Sequence, residues 1–319
     1  MKLIQRLRRK AAQLLFPRPI FATDDVKIGR HVTFGRNVVF NCSRVRIGDG
    51  VSFGDNIIVN SDVFEIGDYG TIYDYCFFPG PGTLRIGHNF WLGTSCIVDA
   101  QGGTTIGNNV GAGAHSQLWT HIQFGDVAYG CRFHGSRSLV IQDDVWLVGH
   151  CLVSPVHIGA RSIAMLGSVV TRDMEPDHCY AGVPAKDMTD KFGPQFKIST
   201  VETRVAYLAR RLDEFTQETG TDGIRERVKV VARAEDMNGG GEGVTVFNVA
   251  DRTYLKLGTR LEYRLMRFLL PDAKFLPVEE TGTHHHRSPP RSARQPTTQP
   301  VPARVRRSPH ARSADLHVR

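Results

Sequence analysis

One histidine stands at the start of the only long break in an otherwise regular sequence. His121 ends the segment LWTH, and the next apolar position that fits the regular pattern is Ile141. Imidazole has a pKa near neutral pH, so it can take a proton from an attacking hydroxyl and later return it. Long excursions from a regular scaffold often carry function. The sequence therefore favours His121 as a general base.

Two further histidines and a carboxylate lie near this break. His115 precedes His121 by six residues, and His134 stands near the end of the break. Each of the two could line a cleft or be a surface residue. Asp99 is a conceivable partner that would orient an imidazole. A stacked coil also places ordinary polar residues at such positions, so the sequence does not select Asp99.

The break interrupts a repeat of apolar positions six residues apart. These repeat leaders form triplets, and the first five triplets begin 19 or 20 residues apart. A helix would instead place apolar residues at i+3 or i+4 and i+7, and a hairpin sheet would show alternation broken by turns. A fixed step of six is typical of a parallel β-helix, whose stacked coils bury one column of side chains. The leaders are Ile28, Phe34, Phe40, Ile47, Phe53, Val59, Ile66, Ile72, Phe78, Ile86, Leu92, Val98, Ile106, Ala112, Leu118, Ile141, Leu147, Val153, Ile158, Ala164 and Val170.

The six cysteines include no CxxC pair and form no short even framework. Cys76, Cys96 and Cys151 each fall four residues after a leader, where small side chains would pack in a stacked coil. The pattern predicts buried structural thiols and is typical of a protein of the reducing cytoplasm.

The repeats and the segment that closes them resemble the hexapeptide-repeat acyltransferases, over residues 24–188. Residues 143–188, DDVWLVGHCLVSPVHIGARSIAMLGSVVTRDMEPDHCYAGVPAKDM, are similar to the closing coils of the sugar and polysaccharide O-acetyltransferase branch. They contain its W-[IL]-x-G element, a GSVVT-basic element and a G-x-PA-K ending. One departure is the missing glycine after Pro155, which shortens that corner by one residue. The resemblance implies an all-β core, a left-handed parallel β-helix.

The resemblance also implies an O-acyltransferase that uses acyl-CoA, most simply acetyl-CoA, as a co-substrate and a sugar or glycan hydroxyl as the acceptor. It implies a homotrimer, no permanently bound cofactor and no metal. In this family the catalytic histidine ends a coil just before a loop, where His121 stands. Gly149 and Ala164 are small enough to let a pantetheine arm approach the backbone. The remaining matches to the coenzyme A site are Trp146 near the histidine, Ser168 and Thr171 along the cofactor, Arg172 near its phosphates, and Pro184, Ala185 and Lys186 over the adenine end.

Two other functions stay open on the sequence. A zinc-dependent protein of the γ-carbonic anhydrase type would use His115, His121 and His134 as ligands, although their spacing is not the expected one. A non-catalytic hexapeptide scaffold would bind no coenzyme A.

The net charge of +8 is concentrated at the two ends of the chain. Residues 281–319 contribute +7 and residues 1–18 contribute +6, which leaves a central part at −5. Because that part offers no general basic face to a phosphate backbone, we expect no nucleic-acid partner. No apolar stretch approaches the roughly 18 residues that span a bilayer. We expect a cytoplasmic protein without signal peptide or anchor.

The pattern divides the chain into four parts. Residues 1–23 form an amphipathic segment that either caps the first coil or contacts an anionic membrane surface, and residues 24–188 form the β-helix. Residues 189–280 form an α+β extension, with one helix over 199–218, a strand in VTVFNVADRTY and a second helix in GTRLEYRLMRFLLP. The extension resembles those of polysaccharide-cluster acyltransferases, and it could cap the coils or shape the acceptor site.

Residues 281–319 hold eight arginines and six prolines with few apolar residues, so they are expected to be disordered. Truncation after residue 280 should therefore leave acyl transfer and oligomeric state unchanged, because the tail lacks a core-forming pattern. Size-exclusion chromatography with light scattering, beside an activity assay, tests this. Aggregation or a smaller oligomer would show that the tail is structural.

Overall fold

The computed structural model describes residues 18–239, 241 and 243–278, in which the chain winds into a three-sided coil of short strands. The coil's strands before the break are β1 (Ile20–Phe21), β2 (Val26–Ile28), β3 (Thr33–Phe34), β4 (Val38–Phe40), β5 (Arg44–Ile47), β6 (Ser52–Phe53), β7 (Ile57–Val59), β8 (Val63–Ile66), β9 (Thr71–Ile72), β10 (Phe77–Phe78), β11 (Thr83–Ile86), β12 (Trp91–Leu92), β13 (Ile97–Val98), β14 (Thr104–Ile106), β15 (Gly111–Ala112) and β16 (Gln117–Leu118).

The break itself folds as an antiparallel hairpin of β17 (His121–Gln123) and β18 (His134–Ser136). The coil then resumes and closes through β19 (Leu139–Ile141), β20 (Trp146–Leu147), β21 (Leu152–Val153), β22 (His157–Ile158), β23 (Ile163–Ala164), β24 (Val169–Val170), β25 (Cys179–Ala181) and β26 (Lys186–Asp187).

The coil has three sheets, which we call faces A, B and C in the order in which the chain visits them. Face A runs β1-β4-β7-β10-β13-β16-β21-β24, face B runs β2-β5-β8-β11-β14-β19-β22, and face C runs β3-β6-β9-β12-β15-β20-β23-β25-β26. Neighbouring strands are parallel, except for the closing pair β25 and β26. The left-handed parallel β-helix of hexapeptide repeats is thereby confirmed.

Every repeat leader is the last residue of its strand, and all except Ile28 and Phe34 in the first coil are buried. Aromatic rings continue this column along the axis. Phe64, fully buried, packs with its ring centroid 5.5 Å from that of Phe40 and 5.9 Å from that of Phe78. The three thiols expected in the interior, those of Cys76, Cys96 and Cys151, are buried as predicted.

The three corners of the coil differ in how they turn. Corners BC and CA use a residue with positive φ in each coil, such as Asn89 and Asn109, both at φ 58°. The side-chain amide of Asn89 donates to Asn109, and that of Asn109 donates to Asp144, at 2.9 Å each. Corner AB, where the chain passes from face A to face B, varies in length from coil to coil and carries the hairpin.

The extension is a small α+β unit. Its four strands form one sheet in the order in which they follow one another in the chain, and Thr200 caps its longest helix by accepting a hydrogen bond from the backbone N–H of Thr203. The α+β character of this part is confirmed. Its elements are α1 (Thr189–Phe192), α2 (Val201–Thr219), α3 (Ile224–Arg227), β27 (Val228–Val231), a 3-10 turn (Ala234–Gly239), β28 (Thr245–Asn248), β29 (Thr253–Leu255), α4 (Arg260–Leu269) and β30 (Leu276–Val278).

The extension lies along the side of the coil, against corner BC and face C. Lys256 Nζ lies 2.7 Å from a carboxylate oxygen of Asp68 and 3.0 Å from one of Asp49. Burial alone would lower the pKa of Lys256, but the two carboxylates outweigh it and raise the pKa. Arg252 pairs with Asp144 through both carboxylate oxygens, at 2.9 and 2.5 Å. These contacts show that the extension covers one side of the coil.

The coil starts earlier than the expected domain boundary, and both ends of the chain lie outside the described residues. The coil begins at Ile20, which pairs with Val39, and therefore starts before the expected boundary at residue 24. Residues 1–17 and the basic tail 281–319, including its expected disorder, lie outside the described residues. None of the helices in the described ranges is long and apolar enough to cross a bilayer.

Replacing Phe64 with Ala should lower the free energy of unfolding by about 3–5 kcal/mol, because the cavity would interrupt the aromatic column. Ile198, whose side chain is fully exposed between α1 and α2, supplies the control. Ile198→Ala should change the free energy by less than about 0.5 kcal/mol. Urea unfolding followed by circular dichroism measures both, and equal effects would contradict the assigned core.

Candidate active site

His121 stands where the chain leaves corner AB and enters the hairpin. It is the first residue of β17, three residues after the leader Leu118. Its side chain is one quarter exposed, and the Trp119 ring packs edge-on against the imidazole at a centroid distance of 6.0 Å. The imidazole is therefore held between the coil and the base of the hairpin.

Asp99 lies beneath His121 on the preceding coil and is completely buried. Its Oδ2 is 2.6 Å from Nδ1 of His121. The same carboxylate accepts hydrogen bonds from the Thr120 N–H at 2.8 Å, the Thr120 hydroxyl at 2.5 Å and the Gln101 N–H at 3.1 Å. Burial by itself would raise the pKa of Asp99, but these hydrogen bonds, led by the Thr120 hydroxyl, outweigh it and lower the pKa.

The geometry fixes the tautomer of His121. A carboxylate with a lowered pKa is ionised at neutral pH and can only accept hydrogen bonds. Nδ1 must then carry the proton that it donates to Asp99, which leaves a lone pair on Nε2 of the neutral imidazole. Within the described part of the chain Nε2 has no hydrogen-bond partner. The pair can therefore accept a proton at Nε2.

The hairpin presents apolar side chains to solvent. Phe124 and Tyr129 are at least nine-tenths exposed, and Ile122, Val127 and Phe133 are more than half exposed. An arm with so many exposed apolar side chains is typical of a surface that contacts another molecule.

The other two histidines lie elsewhere. His115 is on corner CA, where its ring packs on that of His150 at a centroid distance of 4.9 Å. His134 is opposite Gln123 at the far end of the hairpin ladder, and it is exposed. In the described ranges no group of three His, Cys, Asp or Glu side chains could hold a metal ion. Within one chain the structure thus does not bring His115, His121 and His134 together as a zinc ligand set.

Two of the expected coenzyme A residues lie on the same corner as His121. The register Leu118–Val153–Val170 places Thr171 and Arg172 two coils further along corner AB, about 10 Å along the axis at the usual strand spacing. Both are exposed. Arg172 forms no hydrogen bond or ion pair with any residue that the structure describes, so its guanidinium is free to bind an anion.

Four others flank the opposite edge of face A. Gly149 is buried at corner CA, and the turn containing Pro184, Ala185 and Lys186 reaches the same corner, since the Ala185 N–H donates to the Val169 carbonyl. Lys186 is exposed. The part of face A from β16 to β24 therefore has Thr171 and Arg172 along one edge and these four residues along the other.

Two expected positions need correction. Ala164, whose backbone was the expected contact, is fully buried, and Ser168 is fully buried with its hydroxyl donating to the Met165 carbonyl, so neither residue can meet a ligand. Trp146 lies on the outer surface of face C and faces the extension. Face C is opposite corner AB within one chain, so the expected place of Trp146 near a catalytic histidine requires the His121 of a neighbouring copy and stays a prediction.

Asp99 was considered from the sequence as a partner of His121 but was not selected. Its position follows from the register. Val98 pairs with Leu118, so Asp99 lies one coil before Trp119 and next to Thr120 and His121. The 20-residue coil step was the signal that could have identified it.

No protein-family model matches the chain. The chain is 30% identical over 114 residues to the galactoside O-acetyltransferase of Escherichia coli (strain K12), which covers 34% of this chain and 55% of that protein. It is 34% identical over 118 residues to a Schizosaccharomyces pombe protein provisionally named an acetyltransferase, covering 36% of this chain and 54% of that protein. The chain thus spans about half the length of the curated relatives it matches.

Solved structures show only a weak likeness. The polySia specific acetyltransferase NeuO matches at 17% identity with a TM-score of 0.35, over 61% of this chain and 94% of that chain. The N-acyltransferase AntD from Bacillus cereus matches at 16% identity with a TM-score of 0.33, over 67% of this chain and 97% of that one. At these scores the structural likeness adds nothing to the sequence matches. The stacked hexapeptide coils, and similarity to two proteins named as acetyltransferases over about a third of the chain, agree with the resemblance to the hexapeptide-repeat acyltransferases.

Proposed function

We propose that the chain is an acyl-CoA-dependent O-acyltransferase that transfers an acetyl group to a hydroxyl of a sugar or glycan. The observation that carries this proposal is the 2.6 Å contact between Nδ1 of His121 and the buried carboxylate of Asp99. The named activity of the galactoside O-acetyltransferase relative supports the reaction class.

In this reaction Nε2 of His121 accepts the proton of the acceptor hydroxyl while the oxygen attacks the thioester carbon. The new C–O bond forms, the C–S bond breaks, and the imidazolium returns its proton to the departing thiolate. Asp99 is a positioning residue: it holds the ring and stabilises the imidazolium without taking the proton. The Thr120 hydroxyl and N–H keep Asp99 ionised and in place.

The donor would lie across the outer surface of face A. Arg172 on corner AB and Lys186 beside corner CA offer cations for phosphate groups. Between these corners the exposed side chain of Leu152 provides an apolar surface for a pantetheine arm. Thr171, Gly149, Pro184 and Ala185 remain the other proposed donor contacts.

We also propose a cytoplasmic homotrimer in which a neighbouring copy completes the donor groove. The hairpin supports this proposal, because its exposed Phe124 and Tyr129 would bury apolar surface against a second chain.

His121→Ala should lower kcat by about a hundredfold to ten-thousandfold, because the acceptor proton loses its base. Asp99→Asn should also lower kcat, since an amide can hold the wrong imidazole tautomer. His157→Ala, which removes an exposed imidazole from face B, is the matched control and should leave kcat unchanged. A thiol-release assay with acetyl-CoA and a panel of sugars provides the measurement. Full activity of His121→Ala, with coenzyme A binding intact, would refute the general base.

Arg172→Ala or Lys186→Ala should raise KM for acetyl-CoA more than it lowers kcat, because phosphate contacts act in the ground and transition states alike. The increase should shrink at high salt, since exposed charges are screened beyond about 8–10 Å at moderate ionic strength. Lys27→Ala, an exposed cation on the first coil, serves as the control. Lower kcat with an unchanged donor KM would place these residues in the chemistry or in assembly instead.

A further inference from the structure

A ladder of side-chain acceptors runs along corner BC, on the side of the coil that the extension covers. At each rung a backbone N–H donates to the side chain that stands two residues after the leader of the following coil. The acceptors are Asp49, Asp68, His88, Asn108 and Asp143, at distances between 2.6 and 2.9 Å. Four of these five acceptors are oxygens, and the fifth, His88, is a ring nitrogen. One rung can therefore change its hydrogen-bonding role near neutral pH.

The hydrogen bond that His88 accepts fixes its tautomer. The Asp68 N–H donates to Nδ1 of His88 at 2.9 Å, so Nδ1 offers a lone pair and the proton of the neutral imidazole is on Nε2. A second proton can be added only at Nδ1. The imidazolium then presents a donor to the Asp68 N–H, and this rung of the ladder is lost.

The carboxylate of Asp68 is the next partner within reach of a protonated His88. Its Oδ2 lies 3.9 Å from Nδ1 of His88 and 2.7 Å from Nζ of Lys256. Its Oδ1 accepts the Asp49 N–H. A proton on Nδ1 of His88 therefore competes with Lys256 for Oδ2. Lys256 belongs to the extension, and its ion pairs with Asp68 and Asp49 hold the extension on corner BC.

The charges around His88 come from both sides of this contact. Burial opposes the imidazolium most strongly, Asp68 and Asp143 of the coil favour it, and Lys256 of the extension opposes it. The sum lowers the pKa of His88 below its ordinary value. A state in which the extension has moved away lacks the charge of Lys256 and takes up a proton on His88 more readily.

We propose that His88 is a pH-sensitive latch between the coil and the extension. The neutral imidazole completes the ladder of corner BC and leaves the Asp68 carboxylate to Lys256. The imidazolium breaks its rung and competes with Lys256 for that carboxylate, which loosens the extension. The latch concerns the attachment of the extension and requires no catalysis by His121, so it goes beyond the proposed acyl transfer.

Linkage gives the direction of the pH dependence. A histidine whose pKa is lowered in the attached state holds fewer protons there than in the opened state. Attachment is therefore strongest above the ordinary histidine pKa of about 6.5 and weakens as the pH falls below it. One proton can raise the equilibrium constant for opening by at most about tenfold for each unit of pH.

Hydrogen–deuterium exchange of the full chain, from about pH 7.5 to about pH 5.5, tests the latch. Each rate is corrected for the pH dependence of exchange in an unfolded peptide. Protection of β29 and α4, which flank Lys256, should fall below about pH 6.5 by up to about tenfold per unit. Strands β7 and β10 of face A are the internal reference and should keep their protection. Unchanged protection of β29 and α4 over this range would overturn the proposal.

His88→Asn separates the titration of this rung from its structure, because the amide oxygen of Asn108 already fills the same rung in the next coil. The variant should match the original chain at neutral pH and lose most of the fall in protection at lower pH. His157→Asn, which removes an exposed imidazole from face B, is the matched control and should show the full fall. A fall of equal size in His88→Asn contradicts the assignment.

His88→Asp is a second variant, with the carboxylate that fills this rung at Asp49 and Asp143. It should also flatten the pH dependence, because a carboxylate stays ionised over this range. Thermal unfolding followed by circular dichroism at neutral pH shows whether each variant keeps the fold. Loss of neutral-pH protection of β29 and α4 in both variants would mean that His88 acts through its shape and not through its proton, and the proposal would fail.

Discussion

The whole molecule depends on the stacking of each coil directly on the one before it. Strand pairing aligns Val98 with Leu118, and Leu118 with Val153, so every position repeats along a column parallel to the axis. Inward positions become one apolar core, and corner positions become ladders such as the amides of Asn89 and Asn109. Because each coil supplies hydrogen bonds to its neighbours, a change at one position also affects the coils above and below it.

This stacking explains how the chain tolerates a hairpin in the middle of the coil. β14 pairs with β19 across the break, and β16 pairs with β21, so the ladder closes as if the hairpin were absent. The hairpin is added at corner AB, which is already the irregular corner. The column beneath that corner delivers Asp99, whose buried charge is satisfied by Thr120 and His121 together. Regular stacking thus positions the irregular site.

The extension gives the three sides of the prism different roles. Its ion pairs reach Asp49, Asp68 and Asp144, which lie on corner BC in three different coils. With these contacts the extension covers part of face C and encloses the cavity beside Trp91 and Trp146. The contacts of the described extension residues go to corner BC and face C, whereas His121, Arg172 and Lys186 lie at corner AB and at the end of face A.

The scaffold was predictable from the amino-acid sequence, because apolar residues at a fixed step of six leave a chain few ways to bury them. Each leader ended a strand, and the helix with Val201, Leu208 and Phe215 on one face formed as its pattern indicated. The sequence also singled out His121, since a break in a regular repeat is visible without coordinates. Asp99 was decided only by the tertiary structure, because the partner of His121 is set by which coil lies beneath it. The same holds for the extension that faces Trp146 and for the Lys256 ion pairs, which join residues nearly 200 positions apart. The spacing of apolar residues indicates which side chains a strand buries. Contacts between coils, and between the coil and the extension, depend instead on how whole elements pack.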